Sequence, residues 1–263
     1  MTAALRCFRL RGIAIEHALD LLHVHADVAG VLEGDGEATV WLASELPELG
    51  IQGLTVEEVH DARMHAAATG LEQDRVIVLA PDLVVRPPWV QAIAGFRGIE
   101  LVIPRADAFG SGEHGSTRAA LLNLHSLWDE GARSFADVGT GSGILAAYGA
   151  ARGCPAISGC DIDPIAVQRA LELLPGSGMV VGGAEALPAP ADSLVANMTG
   201  SELASSLDAI LARWNGRGIL VLSGMRVHEV DPIVRRLPAA PIRRIEVDGY
   251  HSVALGPLSA PGC

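Results

Sequence analysis

The sequence predicts a two-part α/β protein: a parallel sheet with helices on both faces, closed by an antiparallel hairpin and preceded by a smaller α+β unit. Three observations point there. Strand-like and helix-like segments alternate from Ser134 onward, which implies a parallel sheet sandwiched between helices. Near the end, Ile242 to Val247 and Ser252 to Leu255 flank Asp248-Gly249, a hairpin signal. Upstream, the stretch from Ala80-Pro81 to Pro87-Pro88-Trp89 breaks the composition, because adjacent prolines continue neither a helix nor a central strand. A length of 263 residues fits two domains, at roughly 150 residues each. The expected organisation is an N-terminal α+β domain at 1–80, a linker at 81–98 that is a candidate hinge, and the larger domain at 99–257.

In the first part, Leu5 to Leu10 alternates like a strand and Ile15 to Leu22 has helical spacing. Val31-Leu32 and Ala38 to Leu42 flank Gly34-Asp35-Gly36, a hairpin turn. Thr55 to Ala68 reads as a helix, with Thr55 and Glu58 as a capping box and Gly70 as its stop. Arg75 to Leu79 reads as a strand. In the second part, the strands are Ser134–Val138, Ala156–Cys160, Val180–Val181, Ser193–Ala196 and Gly218–Leu222. Helices follow at Gly143–Arg152, Pro164–Leu174, Ser201–Trp214 and Val227–Leu237. Asp163 caps the second of these, with Pro164 at its first position.

Composition narrows the function. Charged residues are 19% and hydrophobic residues 49%, which excludes wholesale disorder. A net charge of −12 argues against direct nucleic-acid binding, whose affinity comes from neutralising phosphates. Cys7, Cys154, Cys160 and Cys263 are too scattered for a disulfide framework and fit no zinc spacing, so we expect a reducing compartment and no metal. Met1 to Gly12 lacks the apolar run of a signal peptide, and nothing approaches a membrane helix. The expected location is the cytoplasm, with no membrane partner; the oligomeric state stays open. His23 and His25 sit on different helix faces, His60 and His65 are poorly spaced for shared ligation, and His228 and His251 are isolated. Trp41, Trp89, Trp128 and Trp214 read as packing residues.

The strongest motif is Asp137-Val138-Gly139-Thr140-Gly141-Ser142-Gly143, which ends a strand and opens a helix. Its glycines permit positive φ, and the helix start offers free N–H groups. An ordinary Gly-rich turn is one reading. A dinucleotide loop would place glycine where Ile144 stands. Asp137 at the loop mouth would repel a pyrophosphate and attract an ammonium, such as that of S-adenosylmethionine. Asp161 follows Gly143 by 18 residues and ends the next strand, where a carboxylate accepts hydrogen bonds from a ribose diol. Glu185, after the third strand, reads as an adenine contact or a solvated loop acid.

Five blocks carry a family resemblance. They are Ala108-Phe109-Gly110-Ser111-Gly112-Glu113-His114-Gly115-Ser116-Thr117, then Asp137 to Leu145, Gly159-Cys160-Asp161-Ile162-Asp163-Pro164, Leu194-Val195-Ala196-Asn197-Met198, and Leu222-Ser223-Gly224. In this order, over about residues 85–257, they resemble the class I methyltransferases. Within that group they are similar to the bacterial enzymes that methylate the eleventh protein of the large ribosomal subunit. The resemblance implies a Rossmann-like methyltransferase domain behind a ferredoxin-like domain that docks the protein substrate. It implies S-adenosylmethionine as cofactor, with Phe109, Gly110 and Thr117 beside its methionine part. Asp137, Gly139, Thr140, Gly141 and Gly143 would form the loop, and Asp161, Ile162 and Glu185 would serve its nucleoside. Asn197 would lie next to the methyl group and accept hydrogen bonds from the substrate amine; His114 or Glu113 could take a proton, but neither stands out as an obligatory base.

There are departures. Ser116 replaces a threonine, Met198-Thr199-Gly200 follows Asn197 in place of Ile-x-Ala, and Thr55 to Glu72 lacks the family's tryptophans. The expected reaction is N-methylation of a protein lysine or α-amine, a ribosomal protein leading. Small-amine methylation and a non-catalytic cofactor-binding module remain as alternatives. A nicotinamide-dependent enzyme is disfavoured by Asp137 and Ile144.

Overall fold

The computed structural model describes residues 6–12, 14–26, 28–34, 36–42, 44–59, 76–104 and 112–258. The chain forms two compact units, Met1–Asp74 and Arg75–Cys263.

The first unit contains β1 (Arg6–Arg11), α1 (Ile15–His25), β2 (Val28–Gly34), β3 (Glu37–Leu42) and β4 (Thr55–Glu58). Its sheet runs β2-β3-β1-β4 with every neighbour antiparallel. Phe8 and Leu10 of β1 share one face with Ala38, Val40 and Leu42 of β3, as the period of two requires. Ala18, Leu19 and Leu22 of α1 cover that face; each such aliphatic side chain removed from water contributes roughly 1.5–3 kcal/mol. The expected hairpin forms: Gly34 pairs with Glu37, and Gly36 takes φ 77° at the turn.

The expected helix from Thr55 does not begin there. Thr55–Glu58 is instead an edge strand on β1, with Phe8 opposite Glu58 and Arg11 opposite Thr55. The β-branched pair Thr55-Val56 suits a strand, and Val56 packs on the core. Charge pairs across the sheet reinforce it, since Arg6 donates to both oxygens of Glu58 at 2.8 and 2.9 Å. Those contacts use the Glu58 carboxylate that a capping box would need. The rest of that expected helix, with Gly70, lies outside the described residues.

The second unit opens with a small sheet of β5 (Ile77–Ala80), β6 (Leu83–Arg86) and β7 (Ile99–Val102). Hence the expected strand before the break and the whole of the expected 81–98 linker belong to this unit. The prolines end β6 rather than exclude it, and Leu83 and Val85 are wholly buried. Next come α2 (Gly115–Leu127), β8 (Ser134–Val138), α3 (Ile144–Ala151), β9 (Ala156–Asp161), α4 (Pro164–Leu173) and β10 (Gly178–Val181). After a 3₁₀ turn at Ala184–Ala186 come β11 (Ser193–Asn197), α5 (Gly200–Ala212), β12 (Leu220–Met225), α6 (Val227–Val234), β13 (Arg243–Val247) and β14 (Tyr250–Leu255).

The main sheet runs β10-β9-β8-β11-β12-β14-β13. Its first five strands are parallel, and the hairpin β13–β14 adds antiparallel strands at one edge. Alternation sorts the side chains. Ala136, Val138, Leu194, Ala196, Leu220 and Leu222 face Leu203, Leu207 and Ile210 of α5. Phe135, Val195 and Val221 face the opposite way, onto Leu121 and Leu124 of α2 and Tyr148 of α3. Helix α2 was not read from the sequence, although Ala120, Leu121 and Leu124 form its buried stripe. Trp41 and Trp214 are buried, and Trp128 packs on Phe135 and Tyr148, but Trp89 is 54% exposed. No helix among the described residues is long and apolar enough to cross a membrane.

Candidate functional site

Strand order fixes where a crevice must open. From β8 the chain builds β9 and β10 on one side and β11 and β12 on the other. The connections therefore part above the C-terminal ends of β8 and β11, the usual ligand position in open α/β sheets. Val195 pairs with Asp137 and Ala196 with Val138, so Asn197 stands beside the Gly-rich loop.

The loop is built for close backbone approach. Gly139, Gly141 and Gly143 have φ of 71°, 50° and 81°, where a side chain is strained. Gly143 caps α3, and a Cβ there would stand 3.2 Å from Ala170 Cα of α4. Gly139 and Thr140 both donate to the Cys160 carbonyl, at 2.8 and 3.0 Å, which ties the loop to β9. Gly141 N donates to Asp161 Oδ2 at 2.9 Å. The other oxygen of Asp161 accepts from Asp163 N at 3.0 Å, leaving each oxygen one further lone pair. Asp163 caps α4 as expected, accepting from Ile165 N. Ile162, between them, is 78% exposed. Glu185 lies on the exposed 3₁₀ turn, its carbonyl accepting from Arg213.

Asp137 departs from expectation. It is not at the mouth of the loop but wholly buried beneath it. Oδ2 accepts from Thr140 Oγ1 at 2.9 Å and from Ala146 N at 3.1 Å. Oδ1 has no hydrogen-bond partner among the described residues. Burial pushes its pKa from 3.8 to about 7, against those two hydrogen bonds and with added repulsion from Asp161.

Asn197 ends β11. Its Nδ2 donates to Thr117 Oγ1 of α2 at 3.2 Å, while Oδ1 is buried without a partner among the described residues. The start of α2 is held in place by Ser223 Oγ, which donates to the Ser116 carbonyl at 2.8 Å. His114 is the N-cap residue of α2, three positions before Thr117. Its Nδ1 lies 2.7 Å from Ser116 Oγ, and its ring stands 4.3 Å from the Tyr250 ring, tilted by 57°. Burial and the Arg226 cation hold the imidazole pKa below its ordinary value, while Asp248 works against them. Glu113, beside it, is partly buried.

The structure thus brings together His114, Thr117, Asp137, the glycine loop, Asp161 and Asn197. Glu185 stays exposed on its turn, and Phe109 and Gly110 lie outside the described residues. Sequence reading missed Tyr250, which starts the hairpin's second strand, and Arg226, which heads α6; neither carries a local signal in its sequence neighbourhood.

Gly224 makes the end of β11 possible. It has φ 99°, and a Cβ would strike the Met198 carbonyl. Gly224→Ala is expected to lower unfolding free energy by about 2 kcal/mol or more, measured by urea titration. A loss under about 0.5 kcal/mol would show that this crossing is not tight.

The model of a family described as "Ribosomal protein L11 methyltransferase (PrmA)" matches residues 44–241. A protein named ribosomal protein L11 methyltransferase from Syntrophotalea carbinolica is 32% identical over 198 residues, covering 72% of this chain and 64% of the relative. One of the same name from Dechloromonas aromatica is 29% identical over 215 residues, covering 80% of this chain and 72% of the relative. The chain spans less than two thirds of the first relative's length, and 55% of a further one from Clostridium botulinum. The solved structure of a ribosomal protein L11 methylase from Lactobacillus delbrueckii subsp. bulgaricus shares the fold, with a TM-score of 0.60 at 22% identity over 68% of this chain and 95% of that one.

Proposed function

Because this chain belongs to the ribosomal protein L11 methyltransferase family, we propose that it transfers a methyl group from S-adenosylmethionine to an amine of a protein. The acceptor is a lysine side chain or α-amine of a ribosomal protein, which places the reaction in the cytoplasm. The observation that carries this reading is the buried Asn197 Oδ1, without a partner among the described residues, beside the glycine loop at the sheet's switch point.

The residues fit the cofactor. The buried Asp137 Oδ1, without a partner among the described residues, suits an ammonium, and the positive-φ glycines form a cradle that side chains would fill. Asp161 keeps lone pairs for a ribose diol, and Ile162 offers an exposed apolar surface for a purine, with Glu185 on the next turn. Gly139, Thr140, Gly141 and Gly143 would line the loop side, and Phe109, Gly110, Thr117 and Asn197 the methionine side. Bound there, S-adenosylmethionine supplies an electrophilic methyl group on a sulfonium.

The chain supplies alignment. Thr117 fixes the Asn197 amide so that Oδ1 accepts an N–H from the substrate amine and aims its lone pair. Only a neutral amine has that lone pair, and ordinary amine pKa values of roughly 8 to 10 leave most of it protonated at pH 7. His114, whose pKa is held low, is neutral and able to take that proton. The first unit would recognise the protein. Its sheet order and its β-α-β-β start support the reading of a ferredoxin-like domain, while residues 44–54 are irregular where that fold has its second helix.

Methyl transfer from labelled S-adenosylmethionine in a bacterial lysate, resolved by fraction, tests the reading. Label on one small ribosomal protein is expected. Label confined to small molecules would move the activity to metabolite amines, and none at all would leave a binding module.

A further inference from the structure

Tyr250 begins β14 at the same end of the sheet as Asn197, and two residues grip it. The Arg226 guanidinium carbon lies 3.9 Å from the centre of its ring, and Arg226 Nη2 donates to the Tyr250 hydroxyl at 2.9 Å. The His114 ring rests against the same tyrosine. Arg226 is itself anchored, because its backbone N donates to Glu229 Oε2 at 2.6 Å. The Glu229 carboxylate in turn packs against Gly200, at the start of α5, where a Cβ would displace it. Such a chain of contacts fixes a cation over an aromatic ring, a pairing that strengthens when partly desolvated.

We infer that Arg226 is a positioning residue for the amine site: from the head of α6 it clamps Tyr250, and through that ring it sets the place and surroundings of His114. The inference rests on the proposed methyl transfer for its purpose, but not for its geometry. A mobile Tyr250 would leave the His114 ring without its packing partner, three residues from the Thr117 hydroxyl that aligns Asn197. The charged groups facing His114 come from separate elements. Arg226 comes from the head of α6 and Asp248 from the β13–β14 turn, while Glu113 is its neighbour in sequence. Asp248 is shared with Arg118 of α2 at 2.7 Å. The cation favours the neutral imidazole and the carboxylate favours the charged one, so removing each moves His114 in opposite directions.

The experiment follows the His114 ring by NMR as pH is varied in the protein without cofactor, its signal identified by loss in His114→Asn. In Arg226→Met the titration midpoint is expected to rise by about half a pH unit, and in Asp248→Asn to fall by a similar amount. Asparagine tolerates the left-handed φ of 51° at position 248, so this variant folds even if Arg226→Met does not. Arg226→Lys keeps the charge but not the two-point grip. Its midpoint should stay near wild type while KM for the amine rises more than kcat falls. In the activity assay, the acidic limb of kcat/KM should move up in Arg226→Met, with activity lower by about threefold on the steep acidic limb, well below the midpoint, and unchanged well above it. Midpoints that do not move, or that move the same way in both variants, overturn the inference. Absence of methyl transfer at every pH, with the midpoints shifting as stated, would instead overturn the proposed function and leave the clamp standing.

Discussion

Replacing Asp137 with asparagine is expected to stabilise the protein against heat above neutral pH and to weaken cofactor binding at the same time. The physical cause is one buried carboxylate with one empty oxygen. Its folded pKa of about 7 lies above the ordinary 3.8, so the folded state holds a proton that the unfolded chain has already released. Folding stability from this group is therefore fullest below pH 4 and declines as pH rises toward 7. Holding the charge above that point costs about 4 kcal/mol at most. Asparagine cannot ionise and keeps an acceptor for Thr140 and Ala146. Its amide hydrogens replace the empty oxygen at a cost of about 1–3 kcal/mol. The melting temperature of the variant relative to wild type should thus climb between pH 4 and 8. Parallel profiles across that range would show that Asp137 is ionised throughout. An ammonium brought to Oδ1 would pull the pKa back down, so S-adenosylmethionine should bind the wild type more tightly as pH rises through 7. In the asparagine variant affinity should drop about tenfold or more, by the worth of a charge-assisted hydrogen bond.

Asn197→Ala is expected to separate binding from turnover. Truncation removes the unpartnered acceptor and the donor to Thr117, yet leaves the loop and Asp161 intact. The kcat for amine methylation should fall about a hundredfold, the scale of losing alignment at the reacting atoms, while cofactor affinity changes by less than about fivefold. Retention of both binding and turnover would remove Asn197 from the amine site. A collapse of cofactor binding would make it a ligand of the cofactor alone.

Much of the second unit was legible because its signals are local and agree with one another. Asp163 before Pro164 marked the start of α4, and Asp248-Gly249 marked the hairpin. The glycine loop was legible because positive φ leaves its trace in residue type. What was not legible depended on tertiary partners. Thr55 and Glu58 carry a helix-start pattern, but β1 supplies a strand edge and the Arg6 cation to pair with Glu58. Strand β6 is hidden between prolines, and its burial comes from residues far along the chain. The burial of Asp137 could not be read either, since an acid beside a glycine loop looks the same above it or beneath it. Arg226, Tyr250 and His114 are far apart in sequence and meet only because β14 returns beside β12.

The most direct measurement is a backbone amide NMR titration with S-adenosylhomocysteine, which carries the same ammonium and ribose but no transferable methyl. Shifts are expected at residues 137–143, 161–163 and 197–198 and at the start of α2, and they should weaken in Asp137→Asn. Saturating ligand that leaves those amides unmoved, or moves only residues of the first unit, would contradict the site proposed at the ends of β8 and β11.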